Sequence, residues 1–302
     1  MSVQKQAAVA LGLFDGVHEG HRTVLNAALR QKKNGLVPSV FTFRSEMAAQ
    51  KQAPGYIYTT NLKTWILENT CGIERIYAPP FELICAMSGD EFVKSTLHER
   101  MNAVYVCCGK DFRFGKDAKW DVEDLRKLGA RYGFEVEIID DVRIGGTTVA
   151  SSEIRRLLTE GDLKKANLLL GEPYMLRGTV KEGAGLGHTI GFPTANIPFK
   201  EGQLVPKFGV YASETRTPDG TWHPSVTNIG MKPTVHYDGM PLSETYIDGY
   251  VGTLYGEKIR IVLTKLLREE MQFDSVEALQ AQMEKDMVLR WQLSKSYHLS
   301  DT

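Results

Sequence analysis

The chain has 302 residues, of which 42% are hydrophobic and 24% charged, and its formal net charge at pH 7 is −1. This length favours two domains, and the composition lets each of them bury a core of its own. The near-zero charge disfavours nucleic acid and anionic membranes as partners, and no apolar run in the sequence approaches the roughly 18 residues of a membrane span.

The four cysteines, Cys71, Cys85, Cys107 and Cys108, show no CxxC spacing. Such cysteines predict reduced thiols rather than a disulfide framework or a zinc site. The start MSVQKQAAVALGLF has a short apolar stretch without a signal-type cleavage site. Together these observations predict a cytoplasmic protein.

Strand and helix patterns alternate through the first half of the chain, which predicts a parallel sheet flanked by helices and therefore an α/β domain. The predicted strands are Val9–Leu13, Val37–Phe43, Arg75–Tyr77, Ala103–Gly109 and Glu135–Ile139. The predicted helices are His21–Gln31, Asn61–Asn69, Ser88–Met101, Asp121–Tyr132, Ser152–Glu160 and Asp162–Leu170.

Pro173 ends this pattern, so we predict two domains, residues 1–172 and 173–302. The second half has short alternating runs separated by turn signals, which predict a small closed antiparallel β-barrel followed by a long helix. The predicted strands are Met175–Lys181, Gly209–Thr215, Trp222–Ile229, Glu244–Asp248 and Lys258–Thr264. The helix is predicted to begin at Asp274 and to face the core with Val276, Leu279, Met283 and Met287.

The segment GLFDGVHEGH, residues 12–21, lies between the first predicted strand and the first predicted helix. Its glycines and the helix N-terminus favour a phosphate site, to which His18 and His21 can both donate, and Gly20 leaves room for a nucleotide. A metal site would need a third ligand besides the two histidines. An ordinary turn with two solvent-facing histidines is the third interpretation.

Several further motifs occur in the order and spacing of one known family. GLFDGVHEGH resembles the GxFDGVHxGH signature of bacterial bifunctional riboflavin kinase/FMN adenylyltransferases, also called FAD synthetases. GKDFRFG (109–115) and SSEIR (151–155) are similar to segments of the adenylyltransferase half of that family. The kinase half is matched by GFPTAN (191–196), PKFGVY (206–211), NIGMKPT (228–234), Tyr255-Gly256 and Leu267–Glu269.

The resemblance implies that residues 1–172 form a Rossmann-like nucleotidyltransferase domain that joins FMN to the adenylyl group of ATP and releases pyrophosphate. His18 and His21 would be catalytic, and Asp15 would either hold the turn or help to place Mg²⁺. Asp111 and Phe112 would border the flavin or adenine pocket, although Asp111 is also compatible with a simple turn. The implied ATP- and phosphate-binding residues are Gly12, Phe14, Asp15, Gly16, Gly20, Ser151, Ser152 and Arg155.

The resemblance also implies that residues 173–302 form a riboflavin kinase domain, in which ATP phosphorylates the 5′-hydroxyl of riboflavin. Glu244 would be the catalytic base, the alternative being an exposed strand residue. Thr194 and Asn196 would bind Mg²⁺, whereas Arg268 and Glu269 would lie near the flavin ring or form a surface ion pair. The implied ATP- and phosphate-binding residues are Gly183, Gly185, Gly187, His188 and Pro193.

Some positions depart from the family pattern. Leu13 stands where the family usually has Asn or Ser, Glu153 stands in place of Thr, and Thr42–Glu46 lacks the prolines of TFxPxP. A glycine expected after DFRFG is replaced near Ala118. The predicted function is therefore synthesis of FMN and FAD, the alternatives being a riboflavin kinase with an inactive adenylyltransferase domain or a nonenzymatic flavin- or nucleotide-binding regulator.

Overall fold

A computed structural model describes residues 5–45, 55–183, 191–231 and 239–293. The chain divides into two compact units, Met1–Glu153 and Ile154–Thr302. The functional boundary at residue 172 stays a prediction, because compactness alone does not decide where a catalytic domain ends. Within the described ranges, no helix has the length and apolar character needed to cross a membrane.

The first unit contains a parallel sheet, as predicted. Its strands are β1 (Ala7–Leu11), β2 (Val37–Phe41), β3 (Arg75–Tyr77), β4 (Ala103–Gly109) and β5 (Glu135–Ile139). They lie in the order β3-β2-β1-β4-β5, and Val9 of the central strand pairs with Ser39 and Val106. Every residue of β1 is buried, as expected for a strand covered on both faces. A short antiparallel pair, β6 (Arg143–Ile144) and β7 (Thr147–Thr148), follows the sheet.

Four helices of this part of the chain begin at side-chain caps, which are His18, Thr59, Ser88 and Asp121. Ser88 and Glu91 form a reciprocal capping box, and so do Asp121 and Asp124. The helix after Ser88 continues in π form, where the sequence predicted one regular helix. The helices are α1 (Glu19–Arg30), α2 (Thr60–Asn69), α3 (Gly89–Glu91, then a π-helix over Phe92–Arg100), α4 (Val122–Tyr132) and α5 (Ser151–Glu160).

The second unit contains an antiparallel sheet. Its strands are β8 (Tyr174–Thr179), β9 (Thr194–Pro198), β10 (Gly209–Arg216), β11 (Trp222–Met231), β12 (Pro241–Ile247) and β13 (Lys258–Arg268). Their order is β8-β13-β10-β11-β12-β9. The chain just after β8 returns to the other edge of the sheet, where the Lys181 amide donates to the Asn196 carbonyl at 2.9 Å. The sheet is thereby curled into the predicted barrel-like form, and β9 is a strand that the sequence did not predict.

A row of buried hydroxyl groups crosses this sheet. The Ser213 hydroxyl lies 2.8 Å from that of Ser225 and 2.9 Å from that of Thr227. Thr227 bonds in turn to Thr245, and Thr215 bonds to Ser225, both at 2.9 Å. All five side chains are inaccessible to solvent. This hydroxyl row joins β10, β11 and β12 where an aliphatic core would ordinarily lie.

Two further helices lie in the second unit, α6 (Leu163–Leu170) and α7 (Val276–Leu293). The Ser275 hydroxyl accepts a hydrogen bond from the Ala278 amide, so α7 begins slightly later than the predicted start at Asp274. Met287 of the predicted apolar stripe is buried, but Val276 is exposed. The buried face of α7 instead includes charged residues, because Arg290 donates to the Ser213 carbonyl and pairs with Glu214.

Candidate active sites

The loop between β1 and α1 has a backbone conformation that L-residues rarely adopt. Phe14, Gly16 and Val17 have φ angles of 51°, 84° and 43°. A left-handed conformation costs a residue other than glycine about 1–2 kcal/mol, so it persists only where the surroundings fix it. Phe14 and Val17 are fully buried, and their packing supplies that constraint. The loop amides and the start of α1 meet at the carboxyl end of β1, where parallel sheets bind ligands.

His18 and His21 lie together at the start of α1. His18 is the N-cap, and its Nδ1 accepts a hydrogen bond from the His21 amide at 3.2 Å. The two imidazole rings stack with their centroids 3.5 Å apart. A Cβ at Gly20 would lie 3.2 Å from the His18 ring, so glycine at that position permits the close approach. Because Nδ1 accepts, the neutral His18 ring carries its proton on Nε2, which makes that nitrogen the donor of the ring.

Asp15 holds the loop in place. Its carboxylate accepts hydrogen bonds from the amides of Ile57 and Tyr58 at 2.9 and 3.4 Å. Its carbonyl accepts a bond from the Ser151 hydroxyl at 2.9 Å. Of the two implied roles of Asp15, the structure therefore contains the turn-holding contacts. The Mg²⁺ role stays a prediction.

The bond between Asp15 and Ser151 brings the start of α5 to the loop. Ser152 follows at the exposed N-terminus of that helix, where backbone amides favour anions. Arg155 lies one turn further along α5 and is buried. The phosphate-binding roles of these residues, and of Gly12 at the end of β1, stay predictions.

Asp111 and Phe112 follow β4, the neighbour of β1, at the same edge of the sheet. The Phe112 amide donates to the Gly109 carbonyl at 3.0 Å, which makes a tight turn. Phe112 stacks on Phe114, whereas Asp111 is exposed. An aromatic ring and a carboxylate thus follow the strand next to β1 in the sheet order. Their place at the border of a flavin or adenine pocket stays a prediction.

In the second unit, the strand register brings together the residues predicted for phosphoryl transfer. Glu244 on β12 pairs with Asn196 on β9, and Tyr246 pairs with Thr194. Directly opposed residues of antiparallel strands lie on the same face, and residues two apart share it. These four side chains therefore lie on one face of the sheet. On the other side of β12, Asn228 pairs with Glu244.

Asn196 is buried in a manner that suits a cation ligand. It is 3% exposed, and its side-chain Oδ1 has no hydrogen-bond partner among the described residues. A buried acceptor of this kind is costly unless something else satisfies it. Gly183 lies directly against the amide, since a Cβ there would be only 2.3 Å from Asn196 Nδ2.

The approach to this site includes Phe192, whose ring packs 4.9 Å from that of Tyr246. Burial raises the pKa of Tyr246, and the charge of Asp248 adds to the shift. Pro193 immediately precedes β9. The predicted phosphate-binding residues Gly185, Gly187 and His188 lie outside the described residues.

Arg268 and Glu269 lie at the end of β13. The Arg268 guanidinium makes a bidentate pair with Asp286 of α7, with N–O distances of 2.8 to 3.1 Å. Glu269 pairs with Lys207, and this hydrogen bond lowers the pKa of the carboxyl. Arg268 thus connects the last strand to the C-terminal helix. Its flavin-binding role, and that of Glu269, stay predictions.

The chain matches two family models, FAD synthetase over residues 1–153 and riboflavin kinase over residues 170–291. A bifunctional riboflavin kinase/FMN adenylyltransferase from Escherichia coli K12 is 34% identical over 288 residues, covering 94% of this chain and 91% of the relative. The chain belongs to this family. A relative of the same description from Listeria monocytogenes is 37% identical, covering 92% of this chain and 89% of its own length.

A solved structure extends the likeness to three dimensions. It is described as a macrolide-efflux protein from Streptococcus pneumoniae, and its sequence is 28% identical to that of this chain. The TM-score is 0.81, with 99% of this chain and 96% of that chain covered.

Leu13, one of the departures from the family pattern, has an exposed side chain, and its backbone carbonyl makes the contacts that hold the loop. The side chain is 41% exposed, while the Leu13 carbonyl accepts bonds from Thr42 and Lys63. Near the missing glycine, Asp117 and Ala118 have φ angles of 58° and 53°, the conformation in which glycine is favoured. The loop after DFRFG therefore keeps a glycine-like backbone without the glycine.

The sequence did not identify three buried charged residues, Lys63, Asp286 and Arg290. A signal existed for the first of them. Lys63 belongs to the buried face of α2 together with Leu62, Ile66 and Leu67, and a lysine within an apolar helical stripe is unusual. Asp286 lies among the alternating charges of α7, where nothing distinguishes it from solvent-facing neighbours.

Proposed function

We propose that this chain phosphorylates riboflavin to FMN and then adenylylates FMN to FAD, with ATP and Mg²⁺ in both steps. One observation carries the proposal. Each unit brings its family's signature residues together, His18 with His21 at the end of β1 and Thr194 and Asn196 beside Glu244. Relatives of which this chain covers 91% and 89% are named for both activities.

In adenylyl transfer, a phosphate oxygen of FMN bonds to the α-phosphorus of ATP as the bond to pyrophosphate breaks. The nucleophile is already an anion, so the protein mainly aligns the reactants and stabilises the charge that grows on pyrophosphate. His18 Nε2–H and His21 donate to the phosphates, and the N-terminus of α1 adds its dipole. Ser151 and Ser152 contribute the N-terminus of α5, and Arg155 a fixed positive charge.

In phosphoryl transfer, the 5′-hydroxyl of riboflavin attacks the γ-phosphorus of ATP and loses its proton, while the bond between that phosphorus and the bridging oxygen breaks and ADP leaves. Glu244 is the base that accepts this proton, because it is the carboxylate beside the Thr194–Asn196 pair in the register. Tyr246, whose phenol is protonated at neutral pH, donates a hydrogen bond on the same face. Most of the rate enhancement comes from alignment and charge neutralisation.

Mg²⁺ suits the donor set of the kinase site. Asn196 Oδ1 is a buried carbonyl-type oxygen, and the Thr194 hydroxyl lies two residues away on the same strand face. Hard oxygen donors of this kind suit Mg²⁺, which neutralises charge on the ATP phosphates when bound.

We also propose a cytoplasmic location. All four cysteines are free, and burial raises the pKa of the Cys108 thiol to about 12. Buried protonated thiols are unreactive and fit a reducing compartment.

The decisive experiment separates flavins by chromatography after incubation with ATP and Mg²⁺, in parallel tubes of riboflavin and of FMN. The unaltered chain should convert riboflavin to FMN and FMN to FAD. Glu244→Gln should abolish FMN formation and leave FAD formation from supplied FMN, whereas His21→Ala should do the reverse. If riboflavin stops at FMN, the first domain is inactive, and if neither flavin changes, the chain is a binding protein and the proposal is wrong.

A further inference from the structure

Lys63 is a buried lysine beneath the histidine loop. It is 2% exposed and lies in the first turns of α2, with Leu62, Ile66 and Leu67 around it on the buried face of that helix. Burial of a lysine is costly unless its ammonium group is well solvated by protein atoms. The contacts of the ammonium group therefore indicate its role.

The Lys63 ammonium group joins the ends of two neighbouring strands. Nζ donates to the carbonyl of Leu13, which follows β1, at 3.0 Å. It also donates to the carbonyl of Phe43, which follows β2, at 2.6 Å, and to the Thr42 hydroxyl at 3.3 Å. The Thr42 hydroxyl donates in turn to the Leu13 carbonyl at 2.9 Å.

The charge of the Lys63 ammonium group matters because of where these carbonyls lie. At the carboxyl edge of a parallel sheet, strand carbonyls present partial negative charge to the site where ATP phosphates must bind. The ammonium group donates to two of these carbonyls and offsets part of their negative charge. Leu13 directly precedes Phe14, the first of the loop residues in the left-handed region, so the same contact also anchors the strained loop.

We propose that Lys63 is a positioning residue for adenylyl transfer, one that fixes the histidine loop against the end of β2 and offsets carbonyl charge under the ATP phosphates. The inference rests on the proposed function of the first unit. It assigns Lys63 no direct contact with the reacting atoms. Its effect is exerted through the loop that carries His18 and His21.

The test compares Lys63→Met, which removes the charge and all three donors, with Thr42→Val, which keeps the ammonium group and both carbonyl contacts. Each full-length protein is assayed for FAD formation from FMN over a range of ATP concentrations, and for FMN formation from riboflavin. Lys63→Met should raise the KM for ATP in FAD formation about tenfold and lower kcat about as much, with unchanged kinase kinetics. Thr42→Val should stay within about twofold of the unaltered chain.

A merely structural role gives a different result. Partial unfolding removes active molecules and lowers kcat while the survivors keep their KM, so an unchanged KM for ATP would overturn the proposal. An equal rise in KM for both variants would also overturn it, because the ammonium group would then not be responsible.

Hydrogen exchange of residues 12–20 supplies a readout that needs no activity. Exchange in this segment should be faster in Lys63→Met, and equal exchange would contradict the anchoring role. If the unaltered chain makes no FAD, the proposed function fails, and the exchange comparison alone decides the role of Lys63.

Discussion

Gly183→Ala should disable the kinase reaction through a single methyl group. A Cβ at residue 183 would lie 2.3 Å from Asn196 Nδ2, whereas real contacts essentially never fall below 3.0 Å. The amide must therefore move by about 0.7 Å. Asn196 is itself only 3% exposed, so its side chain has little space into which it can turn.

This displacement falls on the proposed Mg²⁺ ligand. A misplacement approaching 1 Å in a catalytic arrangement costs about 10²-fold in rate, or about 2.7 kcal/mol of transition-state stabilisation. We expect kcat/KM for riboflavin phosphorylation to fall by about that factor in Gly183→Ala. The Mg²⁺ concentration for half-maximal activity should rise as well, since Oδ1 moves with the amide.

The assay follows FMN formation from riboflavin at a series of Mg²⁺ concentrations. FAD formation from supplied FMN, measured on the same preparation, is the internal control and should be unchanged. Kinase activity within threefold of the unaltered chain, with an unshifted Mg²⁺ midpoint, would refute the assignment of Asn196 as a cation ligand held against Gly183.

Three further predictions concern stability. Asp286→Ala should destabilise the second unit by about 3 kcal/mol in urea unfolding, because it leaves the Arg268 guanidinium without its bidentate partner. The double variant Arg268→Met/Asp286→Leu should recover most of this loss, and no recovery would contradict an ionic origin. Ala118→Gly should stabilise the protein by up to about 1 kcal/mol because φ is 53° there, whereas the control Ala130→Gly, in an exposed position of α4, should lower stability by about as much. The backbone amide of Asp124 donates to the Asp121 carboxylate and holds the pKa of that carboxyl below its ordinary value. Asp121→Ala should therefore lower Tm at pH 7. That difference should disappear as the pH falls below about 4 and then through the lowered pKa, and a constant difference would argue against the cap.

The sequence predicted the sheet of the first unit well, because its strands are buried apolar runs separated by amphipathic helices. It placed the start of α1 near His21, whereas the helix begins at Glu19 with His18 as its cap. Histidine is not a usual N-cap residue, so pattern alone favoured the later start. The strand β9 was missed since its sequence, TANIP, is short and contains an unfavourable asparagine and a proline.

The candidate sites show a similar division. Resemblance to the family's motifs identified Glu244 and Asn196, and the antiparallel register pairs them directly. The contact of Arg268 with Asp286 joins a strand to a helix, and no local pattern encodes such a pairing. The same applies to Lys63, whose acceptors lie 20 or more residues away in sequence.

The hydroxyl row in the second unit affects how that unit responds to temperature. Exposure of apolar surface on unfolding raises the heat capacity, while exposure of polar groups lowers it. A sheet interior formed partly by Ser213, Ser225 and Thr227 therefore has a smaller heat-capacity increment than an aliphatic one of equal size. The free energy of unfolding of this unit therefore varies less steeply with temperature. The unit also loses less stability on cooling, because the hydrophobic effect weakens at low temperature and hydrogen bonds do not weaken in the same way.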